Sequence, residues 1–289
     1  MKKQPGPEIA VLGGSGLYQF KGLVQPRTIE VRTPYGSPSD SIVIGELAGK
    51  AVAFLPRHGR GHRLMPSEVP ARANIWALKS LGVKRILAVS AVGSLREQIR
   101  PLEFITPDQL IDRTRGRVST FFGDGIVAHI GFADPVCAAL RERVAGALER
   151  AGARVHAAGT YVVMEGPAFS TRAESNLYRS IGASVIGMTA LPEAKLAREA
   201  EMCYAVMGAV TDYDCWHPVE EAVSVEAVVA NLGRNVETAR RAILEFLQGE
   251  PPGSCDCANA LKGAIITSPD RIPAQRRKEL ALLIGKYLS

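Results

Sequence analysis

Cysteine, aromatic residues and long apolar runs are all scarce in this 289-residue sequence, and each shortage excludes something. The five cysteines are an odd number without zinc-like spacing, so neither a disulfide scaffold nor a cysteine-type metal site is indicated. Cys255-Asp256-Cys257 is the exception: either two thiols near a turn, as expected in a reducing cytoplasm, or a small strained disulfide. Aromatic residues make up only 6% of the chain, leaving little to stack on bases. The net charge of +6 would suit a nucleic-acid partner, yet the arginines are scattered with no dense basic run, and a field that draws in a small anionic substrate fits as well. No run of eighteen apolar residues exists to span a membrane. The segment Met1 to Pro7 lacks the apolar core of a signal peptide, so a cytoplasmic address is expected. The G-x-G-x-x-G dinucleotide fingerprint, internal repeats and low-complexity tracts are also missing.

What is present is a series of apolar runs that end in small or polar residues. Ile9 to Leu12 leads into Gly13-Gly14-Ser15-Gly16, where backbone N–H groups and a hydroxyl can converge on phosphate. Ala51 to Leu55 leads into Pro56-Arg57-His58-Gly59-Arg60-Gly61-His62-Arg63. There glycine lets the backbone come close to a ligand, and a fixed guanidinium can grip a tetrahedral oxyanion through two parallel hydrogen bonds. Arg85 to Ser90 ends at Ser90-Ala91-Val92-Gly93-Ser94, and Val185-Ile186 ends at Gly187-Met188-Thr189. Ser15, Arg57 with His58, Ser90 with Ala91, and Thr189 are therefore four candidate phosphate donors at four strand ends. Their agreement outweighs any one of them.

Between these strands the sequence predicts helices over Glu68 to Leu81, Asp134 to Ala151 and Pro192 to Ala200, with a capping box at Thr171-Arg172-Ala173-Glu174 opening another. Asp134 is the expected N-cap of the second, with Pro135 at its first position. A long amphipathic helix is expected over Ser224 to Leu247. Strands alternating with helices imply an α/β fold: a central mixed, twisted sheet flanked by helices, with its site at the strand ends. Residues 1–250 read as one such domain, and residues 251–289 as a helical tail packing on it.

Thr211-Asp212-Tyr213-Asp214 ends the apolar strand Tyr204 to Val210. Its two carboxylates could bind a metal, act as an acid/base pair, accept hydrogen bonds from an exocyclic amine, or cap the strand end. No further hard ligands lie nearby in sequence, and His58 and His62 lack the helical spacing of a zinc motif, so no metal is expected.

Together, Gly13 to Leu17, Pro34 to Asp40, Arg57-His58-Gly59, Ala73 to Leu78, Gly93 to Arg96, Glu165-Gly166-Pro167, Phe169 to Glu174 and Thr211 to Trp216 resemble the 5'-methylthioadenosine phosphorylases, a trimeric class of the purine nucleoside phosphorylase superfamily. The match runs from about Ile9 to Leu247. The resemblance implies phosphorolysis of 5'-methylthioadenosine to adenine and 5-methylthioribose 1-phosphate, with phosphate as co-substrate and no cofactor. It assigns phosphate to Ser15, Arg57, His58, Ser90, Ala91 and Thr189. Asp212 becomes the proton donor or hydrogen-bond partner at purine N7, and Asp214 the receiver of the 6-amino group. Met188 becomes the ribose contact and Phe169 the packing against the base. Val225 and Val228 become the apolar 5' pocket, with Ser170 and Val225 as specificity positions. His129 would reach that pocket from a neighbouring subunit of a homotrimer, or of a dimer of trimers, and His62 could lie nearby.

Three departures from the family pattern stand out. Val92 replaces a cysteine found in some relatives. Gly187 stands where some relatives have an asparagine, which removes an amide from the base side and bears on selectivity for adenine. The Cys255 and Cys257 ending resembles one that carries a disulfide in some prokaryotic members. A phosphorylase for 6-oxopurine nucleosides or methylthioinosine is the nearest alternative, a hydrolase a more distant one, and a non-catalytic nucleotide- or RNA-binding protein the alternative outside enzymes.

Overall fold

In the computed structural model, residues 6–217 and 225–288 are described, apart from 15, 16, 18, 19 and 21; for 225–228 this covers the backbone alone. Eleven strands form one mixed sheet: β1 (Ile9–Gly13), β2 (Val24–Ile29), β3 (Ile42–Leu47), β4 (Lys50–Pro56), β5 (Arg85–Ser94), β6 (Phe104–Ile105), β7 (Gln109–Arg113), β8 (Val155–His156), β9 (Thr160–Met164), β10 (Val185–Gly187) and β11 (Cys203–Asp212).

The apolar runs are continuous because both faces of the sheet are covered. Side chains alternate along each strand: Ala10, Leu12, Leu55, Ile86 and Val206 enter one apolar layer, while Val11, Phe54, Leu87 and Met207 enter the other. Helices α1 (Ala71–Ser80), α2 (Ala138–Arg150), α3 (Arg172–Ser180), α4 (Ala190–Glu199) and α5 (Val225–Gln248) follow in chain order, with the short tail helices α6 (Ala274–Glu279) and α7 (Ala281–Ile284). Ile75, Leu78 and Leu196 of α1 and α4 close the first layer; Leu140, Val144, Ile243 and Leu247 of α2 and α5 close the second.

β5 is the strand on which the sheet branches. Its first residues pair parallel with β1, as far as Ala88, and with β11 on the other side. At ten residues it outruns the five of β1, and Gly93 and Ser94 at its free end pair antiparallel with β10. The ends of β4, β5, β10 and β11 are thereby gathered on one side of the molecule.

The α/β architecture matches the expectation from the sequence, and the capping box forms: Thr171 Oγ1 accepts from Glu174 N at 3.2 Å, and Thr171 N donates to Glu174 Oε2 at 2.8 Å. Two helix starts differ. The helix expected from Glu68 opens at Ala71, because Pro70 holds Val69 extended and leaves Pro66–Glu68 as a separate 3₁₀ turn. The helix expected from Asp134 opens at Ala138, because Cys137 N donates to Tyr204 O at 3.0 Å and is drawn against β11 in an extended conformation. Tertiary pairing overrides the local Asp-Pro signal. The two-residue strand β6 is too short to show a period and went unanticipated, as did β7.

The tail is bonded to this body. His129 N donates to Ala264 O at 2.9 Å and Ile266 N to Val127 O at 2.9 Å, while Leu280 and Ile284 join the apolar layer of α1 and α4. Glu201, just before β11, accepts from Leu261 N at 3.2 Å, from the Lys286 ammonium at 2.7 Å and from the Tyr287 hydroxyl.

Candidate active site

The arginine loop after β4 is anchored by the Ser39-Asp40 segment. Ser39 Oγ donates to Pro56 O at 2.7 Å, Arg63 Nη2 donates to Ser39 O at 2.6 Å, and Asp40 Oδ2 accepts from Arg60 N at 2.7 Å. Gly59 and Gly61 adopt φ of 70° and 79°, the left-handed turns that fold the loop back on itself. This anchoring turns Arg60 and Arg63 toward Ser39 and Asp40. Arg57 and His58 remain to line a cleft with Arg117, Met188, Thr189 and Glu193.

Arg57 is nearly inaccessible, at 2% exposure, and four of its five N–H bonds aim at protein acceptors. Its Nε and Nη2 form a bidentate pair with the Glu193 carboxylate at 2.5 and 3.1 Å; Nη1 donates to Val89 O at 2.9 Å and Nη2 to Leu12 O at 3.2 Å. Glu193 also accepts from the Tyr204 hydroxyl at 2.9 Å. Arg57 is therefore fixed before any ligand arrives, with one N–H lacking an acceptor among the described residues. His58 faces the carbonyl of Leu64 with Nδ1 at 2.9 Å. Burial first, and then the neighbouring Arg57 charge, lower its pKa to about 4, so the ring is neutral. A carbonyl can only accept, so Nδ1 carries the proton and Nε2 is left as an acceptor.

β5 and β10 bring Ser90 and Thr189 together, with Ser90 Oγ and Thr189 Oγ1 2.8 Å apart. Ala91 follows Ser90 on β5, and its carbonyl would lie 3.2 Å from a Cβ placed on Gly187. The same Cβ would lie 2.5 Å from the Tyr161 hydroxyl, so Tyr161 occupies the room that a side chain at 187 would need.

At the end of β11, Asp212 Oδ2 accepts from Thr211 Oγ1 at 2.6 Å and Oδ1 from Asp214 N at 2.8 Å. Asp214 sits in the left-handed region, φ 53°, and its Oδ2 is buried with no hydrogen-bond partner among the described residues. Burial pushes both carboxyls above the ordinary aspartate range, and Asp212 adds charge repulsion at Asp214. A Cβ on Gly93 of β5 would come within 2.7 Å of Asp212 Oδ1, so only glycine lets the two strand ends approach. The loop before α3 lies alongside: the Cys215 thiol donates to Ser170 O at 3.3 Å, and Ser170 Oγ contacts Met164 Sδ at 3.7 Å. Phe169 on this loop is 46% exposed.

Arg117 joins the two halves of the site. Its Nη1 donates to Met188 O at 2.7 Å and Leu191 O at 2.9 Å, its Nη2 to Met164 O and Glu165 O, and its Nε to Glu165 Oε2 at 3.1 Å. Neither Arg117 nor Glu193 was foreseen from the sequence. Glu193 carried a readable signal, a lone acid in the apolar stretch Ala190 to Ala194; Arg117, in a loop, carried none.

The structure thus assembles Arg57, His58, Thr189 and Met188 in one cleft, Ser90 and Ala91 beside Thr189, and Asp212, Asp214 and Ser170 at the neighbouring strand end. His129 is exposed, with its backbone on the tail. Ser15 lies outside the described residues; Val225 and Val228 begin α5, with side chains outside the description.

The strand ends of one sheet thus carry guanidinium, imidazole, hydroxyl and paired carboxyl groups, and residues 8–248 match the family described as the Phosphorylase superfamily, to which this chain belongs. Within it, the chain is 57% identical to the S-methyl-5'-thioadenosine phosphorylase of Koribacter versatilis, covering 97% of this chain and 96% of that one. It is also 57% identical to the enzyme of the same name from Geobacter sulfurreducens, covering 97% and 99%. The crystal structure of a methylthioadenosine phosphorylase from an Antarctic soil metagenomic library superposes with a TM-score of 0.92 at 51% identity, covering 97% of this chain and 99% of the other.

Proposed function

We propose that the chain cleaves the N-glycosidic bond of 5'-methylthioadenosine with phosphate, releasing adenine and 5-methylthioribose 1-phosphate. The observation that carries the base assignment is the buried Asp214 oxygen, without a hydrogen-bond partner among the described residues, beside Asp212. Two neighbouring carboxyls whose pKa values are raised by burial readily share one proton, and so present a donor and an acceptor together. Adenine offers the matching edge: N7 accepts and the 6-amino group donates. A 6-oxopurine offers two acceptors there, one of which would face a carboxylate oxygen. Asp212 protonates N7 as the bond breaks, and Asp214 receives the amine.

Phosphate is held by Ser15, Arg57, His58, Ser90, the backbone of Ala91 and Thr189. The neutral His58 ring suits the reaction: Nε2 accepts from a P–OH group, while the remaining Arg57 N–H and the hydroxyls donate to the other oxygens. Phosphate fixed below the anomeric carbon is both nucleophile and electrostatic partner of the developing oxocarbenium ion. Met188 contacts the ribose and Phe169 packs on the base. Val225 and Val228 form the 5' pocket, tuned by Ser170. His129 completes that pocket across the interface of a homotrimer, or of a dimer of trimers. Support for the assembly comes from exposed Val127 and Ile266 near that histidine. No cofactor is required, since phosphate supplies the nucleophile and an aspartic acid the proton.

The test is release of free base from 5'-methylthioadenosine, methylthioinosine, adenosine and inosine, each with and without phosphate. Phosphate-dependent adenine release, fastest with the methylthio substrate, is expected. Preference for the 6-oxo substrates would overturn the roles of Asp212 and Asp214, and release without phosphate would indicate a hydrolase. Among the described residues no helix is long and apolar enough to cross a membrane.

A further inference from the structure

The sequence spreads its cysteines over more than a hundred residues, yet the fold gathers four of them. The Sγ atoms of Cys137, Cys203, Cys255 and Cys257 all lie within 4.8 Å of one another, and those of Cys203 and Cys255 are 3.4 Å apart. Three separate parts of the fold supply them. Cys137 is the N-cap of α2, Cys203 is the first residue of β11, and Cys255 and Cys257 come from the tail, the latter opening a 3₁₀ turn. No disulfide joins any of them.

We propose that these four cysteines form a structural zinc(II) site that staples the tail to the domain. Four thiolates around one ion at zinc–sulfur distances of about 2.3 Å make a tetrahedron with edges of about 3.8 Å. With every sulfur within 4.8 Å of the others and Cys203 and Cys255 at 3.4 Å, the cluster reaches that geometry by shifts of at most about 1 Å, within side-chain reach. Four-iron clusters hold their cysteine sulfurs wider apart, so a mononuclear ion suits this spacing. Soft sulfur donors select zinc over magnesium or calcium. With four protein ligands no coordination position is open to substrate, which marks the site as structural rather than catalytic.

The surroundings favour negative charge. The Cys137 sulfur sits at the N-terminus of a thirteen-residue helix, whose dipole stabilises a thiolate. The Lys286 ammonium lies against Ala258 O at 2.8 Å, one residue past Cys257. Cys137 and Cys257 are buried and Cys255 is exposed, so the cluster has a closed floor and one side open to an entering ion. Zinc binding would release the remaining thiol protons to solvent and bring the cluster to a charge of −2, which the helix terminus and Lys286 offset.

The site lies at the opposite end of β11 from Asp212, about 30 Å away along a strand of ten residues. Loss of the metal should therefore loosen the tail and leave the chemistry intact. To test this, the full chain is purified under reducing conditions, desalted and analysed for metal. About one zinc per chain is expected, and reconstitution with cobalt(II) should give the visible absorption of a tetrahedral cobalt thiolate. The Cys255→Ser/Cys257→Ser variant should lose both signals and melt at lower temperature, with nucleoside turnover unchanged. Cys215, the fifth cysteine, should stay reactive toward thiol reagents when the other four are masked by zinc. A reduced chain that binds no zinc and gives no cobalt thiolate spectrum overturns the proposal, as do iron in place of zinc or disulfides among the four thiols in the unreduced protein. The metal and cobalt readings on the parent chain decide the matter even where the double variant fails to fold.

Discussion

The two sides of the cleft are bonded in opposite ways. On the side proposed for phosphate, Arg57 is already bound to Glu193, Val89 and Leu12, and among the described residues one N–H has no acceptor. On the side proposed for the base, a carboxylate oxygen of Asp214 is buried and has no hydrogen-bond partner among the described residues. Phosphate is small and symmetrical, so a rigid, prepaid frame suffices to hold it. The base must be told from its analogues, and a buried group that only the right partner satisfies does that more sharply.

The largest break in this comparison is Arg57→Ala. Removing one partner of a buried ion pair leaves the Glu193 charge uncompensated, and a loss of roughly 3–5 kcal/mol is expected in denaturant unfolding. Arg57→Met combined with Glu193→Leu should restore most of that stability without restoring phosphorolysis. If Arg57→Ala unfolds at the parental midpoint, the frame is not prepaid. Next, Asp212→Asn should lower turnover by about 10²–10⁴, the ordinary worth of a positioned acid, with the KM for phosphate little changed. Asp214→Asn should exchange the acceptor for an amide and move the ratio of methylthioadenosine to methylthioinosine turnover by about 10–100-fold toward the 6-oxo substrate. A ratio that stays put would show that Asp214 does not read the base.

The smallest effect concerns His58 and pH. Its folded pKa of about 4 lies below the ordinary 6.5, so the unfolded chain binds the proton first as acid is added. Stability from the neutral ring is whole above pH 6.5 and drains away as the pH falls toward 4. Asp212 and Asp214, raised by burial, act in the other direction, since the folded state holds their protons more tightly. Thermal melts between those pH values should show a shallower decline in His58→Asn than in the parent chain.

Much of this was legible from the sequence, for identifiable reasons. The strand ends were readable because each apolar run stops at residues suited to turns or ligands, and β1, β4, β10 and β11 do end there, whereas β5 runs on past Ser90 to Ser94, where the turn was expected. The Thr171 capping box was local, and it formed. What stayed hidden depends on contacts distant in sequence. Cys137 leaves the expected helix start because Tyr204 bonds it, Arg60 and Arg63 leave the cleft because Ser39 and Asp40 hold them, and Arg117 acquires five acceptors from two loops. Pairings of that kind leave no trace in spacing or composition. Gly187 shows the same limit: its missing side chain reads as a gap in the base site, whereas Tyr161 fills the place.

Arg117 touches the carbonyls of Met164 and Glu165 on one side and of Met188 and Leu191 on the other. A planar, inflexible group spanning two loops behaves as a gauge block: it sets how far the segment leading to Phe169 stands from the one carrying Met188 and Thr189. On the proposed reading, the interval between leaving group and nucleophile is then dimensioned by a residue outside both binding positions, and sequence drift in either segment is tolerated so long as its carbonyls still meet that gauge.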